Sequence, residues 1–147
     1  MGAEAWDYWV PYEDDIQAVL EKTREREFRA GRYNPVIPFP HFPVEPDSPA
    51  PGAQHGSIAE AMQGASADGT RSILDIHAVA DAPDFFTAGP LPGEMLESLY
   101  GTQQPTREMV EHNMGFLEDL ERGHCIYIVL YKDGKPDELL FAGYSFD

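Results

Sequence analysis

Apolar side chains recur at helical spacing in two stretches of the chain, and this pattern predicts its two longer helices. The first spans residues 13–30, with an apolar face formed by Ile16, Val19, Leu20 and Thr23. The second begins after a Thr106 cap and ends before Gly123, with an apolar face formed by Met109, Val110, Met114, Phe116, Leu117 and Leu120. Glu27 falls on the apolar stripe of the first helix. We interpret it as part of a salt bridge at the helix end, with a functional carboxylate as the alternative.

Two shorter helices are predicted from their end signals. Ser57 and Glu60 have the spacing of a capping box, so a helix is expected to run from there to about Ala65. A second short helix is expected over residues 94–100, where Gly101 stops it.

Strands are predicted in the second half of the chain. Residues 125–131 are apolar on both alternating faces, as expected of a central strand, and Asp133-Gly134 predicts a tight turn into a partner strand over residues 138–146. Residues 73–79 form an apolar run that also predicts a strand. Residues 81–92 are predicted to form a loop that carries Phe85 and Phe86.

A Pro-rich segment separates the first helix from the rest. Seven prolines fall between Pro35 and Pro51, so neither a helix nor a central strand is expected there. Apolar residues alternate with these prolines, which distinguishes the segment from a solvated linker. Two interpretations remain open: a strap over the domain's own core, or a preformed segment that presents Phe39 and Phe42 to a partner.

Together these elements predict one α+β domain over residues 1–147. Its small, mostly antiparallel sheet ends in a C-terminal hairpin and is packed by two longer and two shorter helices. The Pro-rich ordered loop, residues 34–56, lies within the domain. A hydrophobic fraction of 42% is enough to form a core.

Charge limits the classes of partner. The 26 acidic side chains outnumber the 10 Lys and Arg, which gives a net charge of −16. Nucleic-acid phosphates and anionic lipids are bound by clustered basic side chains, so direct binding to nucleic acid or membrane is not expected. Between residues 33 and 121, 14 acidic residues are opposed only by Arg71 and Arg107. The negative electrostatic field of these residues would speed association with a basic partner, and a high net charge also keeps a protein in solution.

The sequence favours a cytoplasmic protein. No apolar run approaches the roughly 18 residues that cross a bilayer, and the first ten residues lack a basic stretch ahead of an apolar one. Cys125 is the only cysteine, so the chain forms no internal disulfide. We expect Cys125 to be a buried structural thiol. It is not expected to meet His124, because adjacent residues of a strand point to opposite faces.

Sequence motifs for catalysis are scarce. Neither a GxxxxGK[ST] nor a GxGxxG loop occurs, and the five histidines lack the HExxH spacing. We therefore predict no catalytic residue, no metal ligand and no cofactor. One stripe of the second long helix aligns Glu108, His112, Gly115 and Asp119. Two carboxylates beside an imidazole suit proton transfer or a divalent metal, although the same spacing is common on solvated helix faces.

The favoured function is a non-catalytic interaction module whose acidic surface binds a basic partner protein, in its most concrete form an immunity or antitoxin-type inhibitor. One alternative is a DNA mimic that occupies a nucleic-acid-binding protein, and another is a small enzyme or metal-binding protein that uses His112 with Glu108 or Asp119. Candidate aromatic anchors are clustered near the N-terminus and in the Pro-rich loop: Trp6, Tyr8, Trp9, Tyr12, Phe39 and Phe42. Candidate polar contacts are Asp81, Asp84, Glu108, Glu111, His112, Glu118 and Asp119.

Overall fold

A five-stranded mixed sheet forms the centre of the computed structural model, which describes residues 4–146. Its strands are β1 (Ala5–Pro11), β2 (Ala78–Val79), β3 (Thr87–Pro90), β4 (Cys125–Lys132) and β5 (Lys135–Tyr144). They lie in the order β1-β5-β4-β3-β2. The pairs β1–β5 and β5–β4 are antiparallel, whereas β4–β3 and β3–β2 are parallel. The sheet was predicted to be mostly antiparallel; it is mixed, because two of its four strand pairs are parallel, and the antiparallel pairs are the longer ones.

Helices cover both faces of this sheet. They are α1 (Ile16–Ala30), α2 (Ile58–Gly64), α3 (Gly93–Tyr100) and α4 (Arg107–His112), with short 3₁₀ helices at Ile73–Asp75 and Gly115–Asp119. The predicted α+β class is confirmed.

The alternation of side chains along the strands divides the core into two clusters. In β4, Cys125 faces one cluster with the buried residues of α1 and α2, and Ile126 faces the other, against α3 and α4. We call these sides the α1 face and the α3 face. Because β4 is apolar on both sides, it can lie in the middle of the sheet, as its sequence predicts.

Several predicted elements are confirmed with their end signals. Ser57 caps α2 through the Glu60 amide, as its capping box predicts. α1 begins at Ile16 rather than at the predicted residue 13, because Asp15 caps it by accepting a hydrogen bond from the Ala18 amide at 3.1 Å. Gly101 ends α3 in a left-handed conformation. Glu27 is completely buried and pairs with Arg26 and Arg32, so the interpretation as a salt bridge at the helix end is correct.

The second long helix is shorter than predicted. α4 ends at His112, and Asn113 has an extended backbone with φ −150° and ψ 97°. The Asn113 side chain accepts a hydrogen bond from the Gly115 amide at 2.9 Å, while its own carbonyl accepts one from the Tyr100 hydroxyl at 2.6 Å. These local bonds replace the helical ladder, and the chain continues as the 3₁₀ helix Gly115–Asp119.

Two further predictions between residues 73 and 92 are corrected. The run 73–79 is a 3₁₀ helix at Ile73–Asp75 followed by the two-residue strand β2, because Ser72 caps a tight turn through the Leu74 amide. Residues 87–90, predicted as part of a loop, form strand β3.

The Pro-rich segment lies over the α1 face without helix or strand. Val36, Phe42 and Val44 pack against the core there, and Phe42 meets Tyr8 edge-on with ring centroids 5.1 Å apart. Phe39 is instead 56% exposed. No helix within residues 4–146 combines the length and apolar character needed to span a bilayer.

Candidate interaction surface

Five rings meet at one end of the sheet because of its topology. His77, Phe86 and His124 immediately precede the parallel strands β2, β3 and β4, so they lie at the same end of the sheet. β5 runs in the opposite direction, so Phe146, just after β5, lies at that end too. Phe85 lies beside Phe86. We call these five residues the aromatic cluster.

The rings of the cluster contact one another in series. Phe85 and Phe86 are edge-to-face at 4.3 Å, and Phe86 and Phe146 are edge-to-face at 5.5 Å. His124 lies 6.2 Å from Phe85, and His77 lies 6.1 Å from Phe86. Such pairs add about 0.5–1.5 kcal/mol beyond burial. Although the cluster is packed, Phe85 remains 50% exposed, so an apolar ring is presented to solvent.

Phe86 adopts a backbone conformation that bulky residues rarely take. Its φ is +63°, in the left-handed region. Two backbone hydrogen bonds hold it there: the Phe86 amide donates to the Gly123 carbonyl at 2.9 Å, and the His77 amide donates to the Phe86 carbonyl at 3.1 Å. A left-handed non-glycine residue costs about 1–3 kcal/mol and is concentrated at functional sites. Here it directs the pair Phe85-Phe86 toward the sheet end.

Two exposed carboxylates, Asp84 and Glu121, contact residues of the cluster. Asp81 is exposed as well, but it follows β2, whereas His77 of the cluster precedes that strand. Asp84 accepts a hydrogen bond from the Phe85 amide at 2.7 Å, and a Glu121 oxygen lies 3.4 Å from His124 Nε2. Arg122, the residue after Glu121, is an exposed cation. The result is an exposed aromatic centre with an acidic rim formed by Asp84 and Glu121.

A cleft of about 280 Å³ opens beside the cluster on the α3 face. Its apolar walls are formed by Pro83, Leu91, Pro92, Met95, Phe116, Leu120 and Ile126. Its polar lining is formed by Asp119, Glu121 and His124. His124 therefore belongs to both features, since its ring also contacts Phe85.

Phe39 from the Pro-rich segment lies near the same end of the molecule. The Arg71 guanidinium lies 4.4 Å from the centre of its ring and donates to the Pro38 carbonyl at 2.8 Å. Gly69, two residues before Arg71, is packed against the Phe146 ring so closely that a Cβ there would lie 2.5 Å from it. The turn 69–71 therefore contacts Phe39 on one side and the aromatic cluster on the other.

The N-terminal aromatic candidates are placed differently. Trp6 and Tyr8 are 1% exposed, because they occupy the inward positions of β1 and pack on the α1 face, so in this fold they offer no surface to a partner. Tyr12 is partly buried and packs against the same core. Trp9 is partly buried on the α3 face, with its indole donating to Asp7 at 2.6 Å and Arg107 stacked 4.8 Å above its ring.

The acidic candidates after residue 106 are exposed but do not form the predicted stripe. His112 Nδ1 lies 2.7 Å from the Glu108 carbonyl oxygen of its own helix, and α4 ends there. Asp119 lies on the separate 3₁₀ helix and lines the cleft instead. Glu111 lies 3.4 Å from Arg107, and Glu118 is exposed without lining the cleft. Within residues 4–146, no three His, Cys, Asp or Glu side chains are gathered as a metal-binding set.

Cys125 is completely buried, as predicted. Its thiol points to the α1 face and donates to the Ile126 carbonyl at 3.4 Å. Burial raises the pKa of this thiol well above its ordinary value, which keeps it protonated. The thiol is therefore unsuited to act as a nucleophile.

Sequence reasoning missed the centre of this surface. It placed Phe85 and Phe86 in a loop but did not single them out, and it gave no role to His77, His124 or Phe146. The available signal was the pair of adjacent large apolar residues between turn-forming residues, since loops seldom carry such pairs without burying or using them. Comparison with protein-family models, with curated proteins and with solved structures gave no match for this chain.

Proposed function

We propose that this chain is a non-catalytic interaction module that binds a basic protein through the aromatic cluster and its acidic rim. The observation that carries the proposal is the half-exposed Phe85, supported from below by Phe86 in a left-handed conformation. Contact of an apolar ring with water is unfavourable, so covering the ring with a partner lowers the free energy of the complex. A backbone held in an unfavourable conformation to present that ring is an arrangement that binding would explain.

Charge supports a basic partner. The chain has a net charge of −16, and Asp84 and Glu121 lie beside the cluster. Complementary fields raise association rates and disfavour acidic competitors. The most concrete form of this function is an immunity or antitoxin-type inhibitor, which needs shape and charge complementarity but no catalytic group. We place this activity in the cytoplasm, because the single thiol is compatible with a reducing compartment.

Capture on matched variants tests the proposal. The wild-type chain, Phe85→Ser and Met109→Ser would be immobilised and exposed to lysate of the source organism at low and moderate salt, and bound proteins identified by mass spectrometry. Met109 is the matched control, since it is also an exposed large apolar residue at 42% but lies on α4. The expected result is one basic protein, bound stoichiometrically at moderate salt by wild type and Met109→Ser and weakened by about 2 kcal/mol in Phe85→Ser.

Other outcomes distinguish the alternatives. Equal retention on Phe85→Ser would contradict the role of the aromatic cluster. A set of DNA-binding proteins released by salt or by added duplex DNA would favour the DNA mimic, because counterion release makes such binding steeply salt-dependent. Recovery of no specific protein would contradict both binding proposals.

A further inference from the structure

The cleft beside the aromatic cluster has the size, lining and charge to hold one long basic side chain. We propose that it receives a lysine or arginine side chain of the basic partner. The methylene stem would lie against Met95, Leu120 and Ile126, with the cationic end at Asp119 and Glu121. This inference rests on the proposed function and names the partner's anchoring group.

Its volume is sufficient for a single side chain. The cleft measures about 280 Å³, which lies near the lower end of the range of about 300–1,000 Å³ for small-molecule pockets. A side chain enters from a partner that covers the mouth, so it does not need an enclosed pocket.

The walls suit the stem of a basic side chain. Phe116 and Ile126 are each 2% exposed and form part of the core, while Met95 and Leu120 are partly buried at the sides. Lysine and arginine characteristically lay their methylene groups along apolar surface and keep the charged end in a polar environment. The cleft offers both, since its apolar walls meet carboxylates.

The carboxylates of the cleft are available for a cation. Asp119 is exposed and makes no ion pair within residues 4–146, and the Glu121 side chain is 80% exposed beside His124. The cleft at the β4–β5 hairpin, about 440 Å³, has four carboxylates in its lining but also Arg107 and Lys132, and Arg107 already pairs with Glu138 there at 2.7 Å. A cation entering that cleft would compete with these two cations of the chain.

The cleft is continuous with the aromatic cluster. His124 lines the cleft and lies 6.2 Å from Phe85, and Pro83 of the lining precedes Asp84 in the loop that carries Phe85. A partner that covers Phe85 therefore extends over the cleft without a change in the chain.

Titration with side-chain analogues tests the assignment directly. The full chain, with ¹³C-labelled methyl groups in Met, Leu and Ile, would be titrated with n-butylammonium, which reproduces a lysine side chain, and with 1-butanol as the neutral analogue of equal length. We expect n-butylammonium to shift the methyl signals of Met95, Leu120 and Ile126 at lower concentration than 1-butanol. Equal shifts at equal concentrations of the two probes, or shifts confined to other methyl groups, would overturn the proposal.

Charge variants provide the second measurement. The double variant Asp119→Asn/Glu121→Gln should weaken n-butylammonium binding about threefold, as expected for the loss of two exposed ion pairs. Glu118→Gln is the matched control, because Glu118 is exposed on the same 3₁₀ helix but does not line the cleft. Unchanged binding in the double variant would overturn the proposal.

The two proposals can fail separately. A captured basic partner that is weakened by Phe85→Ser, but binds the double variant and wild type equally, overturns the cleft assignment and leaves the proposed function intact. Probe binding in the cleft of a chain that captures no basic protein supports the cleft and contradicts the proposed function.

Discussion

Arg32 holds the buried carboxylate of Glu27 through two hydrogen bonds, from Nε and from one terminal guanidinium nitrogen, each 2.8 Å long. Arg26 adds a third contact at 2.7 Å. The Glu27 side chain is 0% exposed, while the side chain of Arg32 is 14% exposed, so the charge of one partner is entirely withdrawn from water. The carboxylate also raises the pKa of Arg32, chiefly through the hydrogen bonds.

We predict that Glu27→Gln lowers the free energy of unfolding by about 3 kcal/mol, because removing one partner of a buried pair leaves the other without compensation. Urea unfolding followed by circular dichroism measures this. Glu25→Gln is the control, since Glu25 pairs with Arg29 on the same helix in an exposed position, and its effect should stay below about 0.5 kcal/mol. Equal effects at the two positions would contradict the prediction.

At position 86, glycine should be more stabilising than alanine. A left-handed φ of +63° costs an L-residue about 1–2 kcal/mol that glycine avoids. Phe86→Gly is therefore expected to unfold at higher urea concentration than Phe86→Ala. The same two substitutions at Phe85, which has no positive φ, should rank in the opposite order by about 0.5 kcal/mol. An unchanged order at the two positions would show that the backbone of Phe86 is not strained.

Asp75 should make the chain less stable as the pH rises. Burial raises its pKa above the usual 3.8, and hydrogen bonds from Thr70 offset this only in part. Well below pH 3.8, Asp75 is protonated in both the folded and the unfolded chain, so its pKa difference does not affect stability. As the pH rises from there through the folded-state pKa, the unfolded chain loses this proton more readily than the folded chain, so the free energy of unfolding falls.

The comparison of wild type with Asp75→Asn isolates this effect. The unfolding free energy of wild type minus that of the variant should fall between pH 3 and the folded-state pKa, and then level off. Asp47→Asn, at an exposed position of the Pro-rich segment, is measured alongside as the variant with the same loss of one carboxylate. A difference that stays constant or rises with pH would exclude a raised pKa.

Cys125 should react with iodoacetamide only through unfolding. The thiol is completely buried and its pKa is raised, so the folded chain presents no thiolate. Labelling measured by mass spectrometry should follow the unfolded fraction in urea. Ala50→Cys provides an exposed thiol that reacts in the folded chain. Rapid labelling of Cys125 under native conditions would contradict this placement.

Local signals predicted the elements that depend on local interactions. Ser57 and Gly101 mark helix ends that the structure retains, and Asp133-Gly134 turns with φ of +53° and +76°, as a two-residue hairpin requires. Periodicity failed after His112, because the apolar residues on both sides of Asn113 fit one helical stripe. What interrupts the helix is a set of bonds from Asn113 to Gly115 and Tyr100, and only the folded chain brings Tyr100 there.

The candidate site was less predictable because tertiary pairing creates it. β3 contains Gly89 and Pro90, residues that are depleted in strands, so its sequence indicates a loop. Gly89 is required by packing, since a Cβ there would lie 2.1 Å from the Ala82 backbone. Because β3 is not predicted, the sequence does not indicate that Phe86 lies at the same end of the sheet as His124 and Phe146. The acidic rim, in contrast, was anticipated in part through Asp84.

The pairing of β1 with β5 bears on how the chain folds during synthesis. Trp6 is paired with Gly143 and Tyr8 with Phe141, so almost the whole chain lies within the loop that this pairing closes. Such distant contacts slow folding, because the entropy of closing the loop is lost before the contacts form. Translation produces β1 long before β5. Until then the backbone groups of β1 lack the strand they pair with, and assembly of the antiparallel half must wait for β5 to leave the ribosome.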